Sequence, residues 1–438
     1  MKRRCSRCFG SPWTGWNGDS VATLDDWVRY GDELRRPLCV AENLGRSTTV
    51  CVVGAGLSGL TIAYRIASKR PDIHVELIEK TDRMGGVIET WTRDEWVCDV
   101  AVNATRAHPA FWRLVDDLGL GDRFTASNSA AGSRWVSTGG RRRKLSPWLV
   151  LTGGPLKVWR GLRSARGGGR SVAEAMPLPP VNDAMTLGIV NDVAAHVDAD
   201  FLMPSMTRFG PEPPVKWKAV KKHMNATYPL FTPEKGATAS FEGGMETLIA
   251  RLVDQLEAMD NVSITLEAGS LSPDEVATSR GLPLSSVVWC APLGRPAEQH
   301  TELNVYAVGY TNQQAAAVPV GYGTLVPDSS CPVSGILHES DVHGSPRAPE
   351  DHRLFRIMAP TGRGEDHGAV KAALRDLLCP EEPVLFEHIG RRSIPSYPPG
   401  YMASLADVSN EFTRAGWCFS GVSVTHVVAE AERIADQF

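Results

Sequence analysis

The stretch STTVCVVGAGLSGLTIAYRIASKRPDIHVELIEK, residues 47–80, decides the fold. Val50 to Val53 form a short β-branched run of the kind buried on both faces of a parallel sheet. Leu60, Ala63, Tyr64 and Ala67 recur at helical spacing, Pro71-Asp72 ends that helix, and His74 to Glu79 supply a second strand. Gly54, Gly56 and Gly59 form a GxGxxG that follows a strand and opens a helix, the context that makes such a motif informative. Gly54 permits the tight turn, Gly56 lets the backbone approach a pyrophosphate, and Gly59 allows close helix–strand packing, with the phosphates at the positive helix N-terminus. Glu79 stands twenty residues beyond Gly59, where a carboxylate can accept both ribose hydroxyls of an adenosine. The unit reads as one βαβ module built to hold a dinucleotide.

The rest of the chain sets bounds on that reading. Its 438 residues suffice for two or three domains with a large buried core. Lys plus Arg number 46 against 50 Asp plus Glu, a net charge of −4, which excludes a polyanion-seeking basic protein and gives no support to nucleic acid as partner. Hydrophobic residues make up 42% and the mean hydropathy is −0.17, values of an ordinary globular chain. No stretch approaches the roughly 18 consecutive apolar residues of a bilayer span, so a soluble or peripheral chain is expected. The cysteines at 5, 8, 39, 51, 98, 290, 331, 379 and 418 lack the spacing of a secreted scaffold and favour a reducing compartment. Cys5 and Cys8 form one CxxC without a second pair or a His partner, so no metal is expected there. Residues 1–46 read as a leader of unknown role, with Asp19, Asp25, Asp26, Asp32 and Glu33 that an acid-poor transit peptide would avoid.

Beyond residue 103, AFWRLVDDLGLGDRF predicts a helix with Phe111, Leu114, Val115 and Leu118 on one face, stopped by Gly119 and Gly121. Residues 139–180 are rich in Arg, Gly and Pro and read as an irregular or mobile insertion. Its cluster Arg141, Arg142, Arg143 and Lys144 is either a solvated loop or a contact with anionic lipid headgroups, to which each cation contributes about 1 kcal/mol. From Lys235 a glycine pair leads into an amphipathic helix with Leu248, Leu252 and Leu256, then a strand from Val262 to Leu266. Residues 304–338 alternate as sheet, and the C-terminus reads as strand, small-residue turn and helix.

Arg83-Met84-Gly85-Gly86 follows Glu79 closely, as it does in flavoproteins of the amine-oxidase superfamily, where the glycine pair brings backbone N–H groups to the pyrophosphate and the Arg adds charge. The alternative is a plain turn. Other segments make the resemblance specific. VVGAGLSGL with EKTDRMGG, FEGGMETLIARL, GYGTLVP with PVSGILHES, SIPSYPPGY and GVSVTHVVAEAERIA together resemble the oxygen-dependent protoporphyrinogen oxidases, over about two-thirds of the chain. The implied fold is α/β: an FAD-binding Rossmann-like domain of the glutathione-reductase type, flavin amine oxidase-like, interleaved with an α+β substrate domain. The expected division is residues 47–103, 236–295 and 391–438 for the FAD domain, with 104–235 as a shortened substrate or membrane-facing part and 296–390 as the substrate sheet.

The resemblance implies oxidation of protoporphyrinogen IX to protoporphyrin IX in haem synthesis, with FAD as cofactor and dioxygen as acceptor. No catalytic residue beyond the flavin is expected, because the hard chemistry belongs to the isoalloxazine. The implied cofactor-binding residues are Gly54, Ala55, Gly56, Leu57, Ser58, Gly59, Glu79, Lys80, Arg83, Gly85, Gly86, Val87, Val262, Val422, Ser423 and Val424. Arg106 falls where a guanidinium can bond a substrate propionate bidentately; the other reading is a surface Arg beside a helix. The helix starting near Thr425 would aim its N–H groups at the flavin, with Thr425 as its N-cap. His426 stands where the family prefers an acid and Tyr401 where it often has His; neither is counted as catalytic. By the same resemblance, peripheral attachment to the mitochondrial inner membrane and a homodimer are expected, with the cytoplasm as the other compartment.

This chain departs from the pattern in places. Asp99-Val100-Ala101-Val102 stands where the family has an acid followed by Gly-Pro. The small-residue loop before an Asp is not recognisable in PSMTRFGPEPPVKW, residues 204–217, and the Ala-Gly-x-x-aromatic loop is reduced to Trp417-Cys418-Phe419-Ser420. Two other readings therefore stay open: a flavin oxidase or desaturase acting on an amine or isoprenoid, and a non-catalytic flavoprotein.

Overall fold

The structure, a computed structural model, describes residues 38–106, 108–145, 154–207, 238–292 and 299–438. Residues 1–37 of the leader, with the Cys5–Cys8 pair, and residues 208–217 lie outside the described residues.

The 47–80 stretch folds as strand β1 (Thr49–Val53), helix α1 (Leu57–Lys69) and strand β2 (His74–Ile78). These strands belong to a five-stranded parallel sheet ordered Val262–Thr265, β2, β1, Val287–Trp289, Thr413–Arg414. Val50, Cys51 and Val52 are fully buried, as a strand covered on both faces must be. Leu60, Ala63, Ile66 and Ala67 of α1 pack into the core that the C-terminal helix also enters. Gly59 has no room for a side chain: a Cβ there would lie 1.9 Å from the Gly54 carbonyl oxygen.

A short hairpin, β3 (Thr90–Arg93) and β4 (Trp96–Asp99), leads out of this domain. Helix α2 (Pro109–Asp117) follows, with its Phe111, Leu114 and Val115 buried. A second sheet has seven strands ordered Leu385–Ser396, Gln299–Thr311, His352–Pro360, Gly335–Leu337, Gly323–Leu325, Arg134–Thr138, Arg141–Lys144. Its pairings are antiparallel except that of Gly323–Leu325 with Arg134–Thr138. A separate helical core gathers Val158, Ala165, Met176, Phe201, Tyr397, Tyr401 and Phe419.

Residues 139–180 differ from the irregular insertion expected. Gly139 and Gly140 have φ of 56° and 72°, which makes the two-residue loop that joins Arg134–Thr138 to Arg141–Lys144 as a hairpin. Helix α3 (Pro155–Ala165) then starts with proline in its first turn and buries Val158, Gly161 and Ala165. The C-terminal strand also lies earlier than expected, at Thr413–Arg414, and Trp417–Ser420 form a helical turn.

Helix α4 (Glu246–Glu257) buries Leu248, Leu252 and Leu256 on one face, and helix α5 (Val424–Ala435) closes the chain. A buried ion cluster ties α1, α2 and α5 together. Arg65 Nε donates to Glu432 Oε1 at 2.6 Å and Arg65 Nη1 to Asp117 Oδ2 at 2.6 Å, while Arg113 lies 3.4 Å from Glu432. Removing one partner of a buried pair leaves a desolvated charge behind. Glu432→Ala is therefore expected to lower stability by about 3 kcal/mol, read from the denaturant midpoint of the chain; an unchanged midpoint would contradict that role.

Candidate dinucleotide site

The turn between β1 and α1 is held from three sides. Gly54, at φ 100°, donates its N–H to the Ile78 carbonyl at 2.7 Å, and a Cβ on it would meet Cys290 and Ala291 backbone atoms at 3.3 Å. Burial pushes the Cys290 thiol up to about 12, which disfavours its thiolate. Glu79 is 8% exposed, and its Oε2 accepts the Ala55 N–H at 2.8 Å. Its Oε1 accepts from the N–H and hydroxyl of Thr81 at 3.1 and 3.0 Å. The carboxylate thus braces the turn as well as standing at the strand end where an adenosine ribose would come.

The second glycine pair lies directly on the first turn. Gly85 donates to the Ala55 carbonyl at 2.7 Å, and Gly56 and Gly85 form a parallel bridge. Gly85 and Gly86 have φ of 112° and 59°, values that a side chain would strain. A Cβ on Gly86 would sit 3.1 Å from Gly56 Cα, whereas a Cβ on Gly56 would meet only Gly86 Cα, at 3.8 Å. The space in front of Gly56 is therefore a cradle that a side chain would fill and that no protein atom crowds. No side chain caps the N-terminus of α1, so its first-turn N–H groups are offered to an anion.

Arg83 takes a different place from the one its charge suggested. Its guanidinium donates to the carbonyls of Met84 and Ile88, both at 3.2 Å, and of Gly86. It holds the glycine loop from inside rather than standing free for a phosphate. Lys80 is exposed and Val87 is half-buried. Leu57 and Ser58 are buried in the first turn of α1.

The structure does not bring Val262 to this group. In the parallel register Val262 pairs with Val75 near the start of β2, whereas Thr265 pairs with Ile78 at the end where the turn lies. The residue that reaches Glu79 from this strand is Thr265, whose carbonyl accepts the Glu79 N–H at 2.9 Å, with Ala268 N–H returning to the Glu79 carbonyl at 3.0 Å.

At the C-terminus, Val422 packs on the helical core and Val424 on the core around β1, so residues 422–424 lie where the two bodies meet. Ser423, not Thr425, is the N-cap of α5; its hydroxyl lies 2.8 Å from that of Thr425, and no side chain caps the helix. Glu430, 3% exposed, accepts the Gly416 N–H at 2.7 Å and fixes the loop that passes Ser58 and Cys290. Tyr401 is buried, stacks on Tyr397 at 4.0 Å, and donates to the Cys418 carbonyl at 2.6 Å. Arg106 is exposed on the strand Thr105–Arg106, whose Thr105 is buried. The sequence reading missed Thr81 and Glu430. A hydroxyl two residues after Glu79 was a visible signal, but nothing local marks Glu430.

Residues 52–118 match a family profile for an NAD(P)-binding Rossmann-like domain. Coproporphyrinogen III oxidase of Mycobacterium tuberculosis is 31% identical over 168 residues, which are 38% of this chain and 31% of that protein, so the match spans about a third of the relative's length. Among solved structures, a protein of Exiguobacterium sp. 255-15 assigned provisionally to protoporphyrinogen oxidase has a TM-score of 0.62 at 17% identity, covering 89% of this chain and 98% of that one. Cyclohexylamine oxidase from Brevibacterium oxydans IH-35A has a TM-score of 0.57 at 14% identity, over 89% and 98%. The chain shares the fold of these two solved structures, with a Rossmann-like domain among mixed α/β sheets.

Gly56→Val fills the space facing Gly86, and Glu79→Ala removes the acceptor of the Ala55 N–H. Both variants are expected to lose FAD on reconstitution while keeping the parental circular dichroism; parental flavin content in either contradicts the placement of the cofactor.

Proposed function

We propose that this chain, protoporphyrinogen oxidase-like within the flavin amine oxidase superfamily, is an FAD-dependent oxidase that converts a porphyrinogen to the porphyrin with dioxygen as acceptor. The observation that carries the reading is the double glycine cradle, Gly56 bridged to the 85–86 loop in front of an uncapped helix. When bound, FAD supplies a two-electron acceptor for each C–H oxidation, and dioxygen takes those electrons away as peroxide.

The chain's own residues bind, orient and exclude. The first turn of α1 and the 85–86 loop hold the diphosphate, Glu79 the ribose, and Arg83 keeps the loop rigid from behind. Residues 422–424 lead into α5, whose positive N-terminal end would favour the negative charge that a bound flavin gains on reduction. Arg106, exposed at its strand edge, meets a substrate propionate as a bidentate donor. Protoporphyrinogen IX is the substrate this reading names. A second porphyrinogen is favoured by one observation, the mycobacterial relative named for coproporphyrinogen III. The test is aerobic fluorescence of the porphyrin formed from each porphyrinogen by the purified, FAD-loaded chain. Growth of porphyrin emission above an FAD-free control is expected, and the faster substrate identifies the ring carried; no emission from either contradicts the reading.

Peripheral contact with an anionic lipid surface belongs to the same proposal. No Asp or Glu lies between Asp122 and Glu174. Helix α3 there exposes Leu156 (68%) and Trp159 (54%) among the exposed Lys157, Arg160, Arg163 and Arg166. Among the described residues no helix is long and apolar enough to cross a membrane. The mycobacterial relative lends no support to the mitochondrial inner membrane as the compartment, and homodimerisation forms no part of the proposal. Co-sedimentation with phosphatidylglycerol vesicles is expected, weakened on the order of tenfold by Leu156→Ser with Trp159→Ser; equal sedimentation with neutral vesicles contradicts the contact.

A further inference from the structure

Arg356 occupies the middle of the strand His352–Pro360, paired with Ala307 on one side and Leu337 on the other, and is 3% exposed. A guanidinium at such a position costs several kcal/mol of desolvation unless its donors are met. Strand alternation explains which way it faces. Phe355 and Ile357 enter one core, and Leu354 enters the other, with Trp96, Cys98 and Val100 of the β3–β4 arm. Arg356 points to that second side, where its Nη1 donates to the carbonyls of Asp99 at 2.5 Å and Ala101 at 3.0 Å.

Behind it stands a second buried charge. Arg356 Nε lies 3.1 Å from Glu339 Oε1, and Glu339 Oε2 accepts from His343 Nε2 at 2.8 Å, with Glu339 fully buried and His343 3% exposed. Burial pushes the Glu339 carboxyl up, but Arg356 and then the His343 hydrogen bond outweigh it and hold it at about 2. Because its folded value lies below the ordinary one, the carboxylate's stabilisation is present above about pH 4.5 and is lost as pH falls toward 2.

The carbonyls that Arg356 grips belong to a strap joined to the cofactor cradle. Val100 donates to the Glu89 carbonyl at 2.9 Å, and Ile88 donates to the Gly85 carbonyl at 3.1 Å, so only Val87 and Ile88 separate the gripped strap's partner from the glycine pair. The Asp99 side chain is fixed independently by Arg347 at 3.2 Å, the Thr90 hydroxyl at 2.6 Å and the Met245 N–H at 2.7 Å. With the carboxylate held from one side, Arg356 fixes the remaining freedom of the peptide planes at 99 and 101.

We propose that Arg356, anchored by Glu339 and His343, is a positioning residue that sets the 99–101 strap beside the dinucleotide cradle and so tunes how the flavin is held. It acts through the backbone and does not touch the reacting atoms. The inference rests on FAD being the cofactor, and the experiment separates the two. Apoprotein is titrated with FAD, following flavin fluorescence and the visible absorption bands, for the parent, Arg356→Met, Arg356→Lys and Glu339→Gln. A parent that takes up no FAD overturns the cofactor reading itself. With a binding parent, Arg356→Met is expected to weaken FAD about tenfold and to shift the visible bands, as loss of charge-assisted hydrogen bonds would. Arg356→Lys is expected to restore part of both effects. Should Arg356→Met fail to fold, Glu339→Gln reports instead, with a shift in the same direction of about threefold. Parental affinity and parental bands in Arg356→Met, or in Glu339→Gln if that is the variant that folds, overturn the proposal.

Discussion

Everything in this molecule that concerns chemistry depends on one arrangement: two glycine turns pressed together in front of a helix whose N-terminal N–H groups no side chain caps. Gly56 leaves space where a side chain would stand, Gly86 lacks the Cβ that would crowd Gly56 Cα at 3.1 Å, and Gly85 hydrogen-bonds Ala55. Unsatisfied N–H groups and the helix dipole together favour an anion there. The buried carboxylate of Glu79 keeps the turn open by accepting the Ala55 N–H. An uncapped helix N-terminus behind an open glycine turn suits a diphosphate, which is the ligand proposed for it.

The surrounding architecture works to keep that receptor rigid. The ion cluster of Arg65, Asp117, Arg113 and Glu432 locks the helices behind it. Glu430 holds the returning C-terminal loop, and Tyr401 pins the Cys418 carbonyl. On the far side, two buried arginines reach the β3–β4 arm: Arg347 at the Asp99 carboxylate and Arg356, from the seven-stranded sheet, at the backbone on both sides of Val100. The two halves of the molecule are thus joined by desolvated charge where the arm leaves the cradle, an expensive but directional joint.

The β1–α1–β2 unit was legible in the sequence because every signal in it is local: branched residues for the strands, a 3.6-residue stripe for the helix, glycines between. Long-range register was not. Val262 was expected at the cofactor, and the parallel pairing instead puts it beside Val75, so its strand reaches Glu79 through Thr265. The Arg- and Gly-rich text after residue 139 masked a hairpin, since Gly139-Gly140 is also what a tight two-residue loop requires. Arg83 read as a phosphate ligand, but three carbonyls within its own loop claim its donors. Arg356, Glu339 and His343 are silent in sequence, because nothing local says that a charged residue in a strand has a charged partner seventeen residues away.

The most direct measurement is calorimetric titration of the apoprotein with FAD and, separately, with NAD and NADP. FAD is expected to saturate one site per chain, ADP to compete for it, and neither nicotinamide dinucleotide to bind comparably. Saturation by a nicotinamide dinucleotide with no uptake of FAD would contradict that expectation.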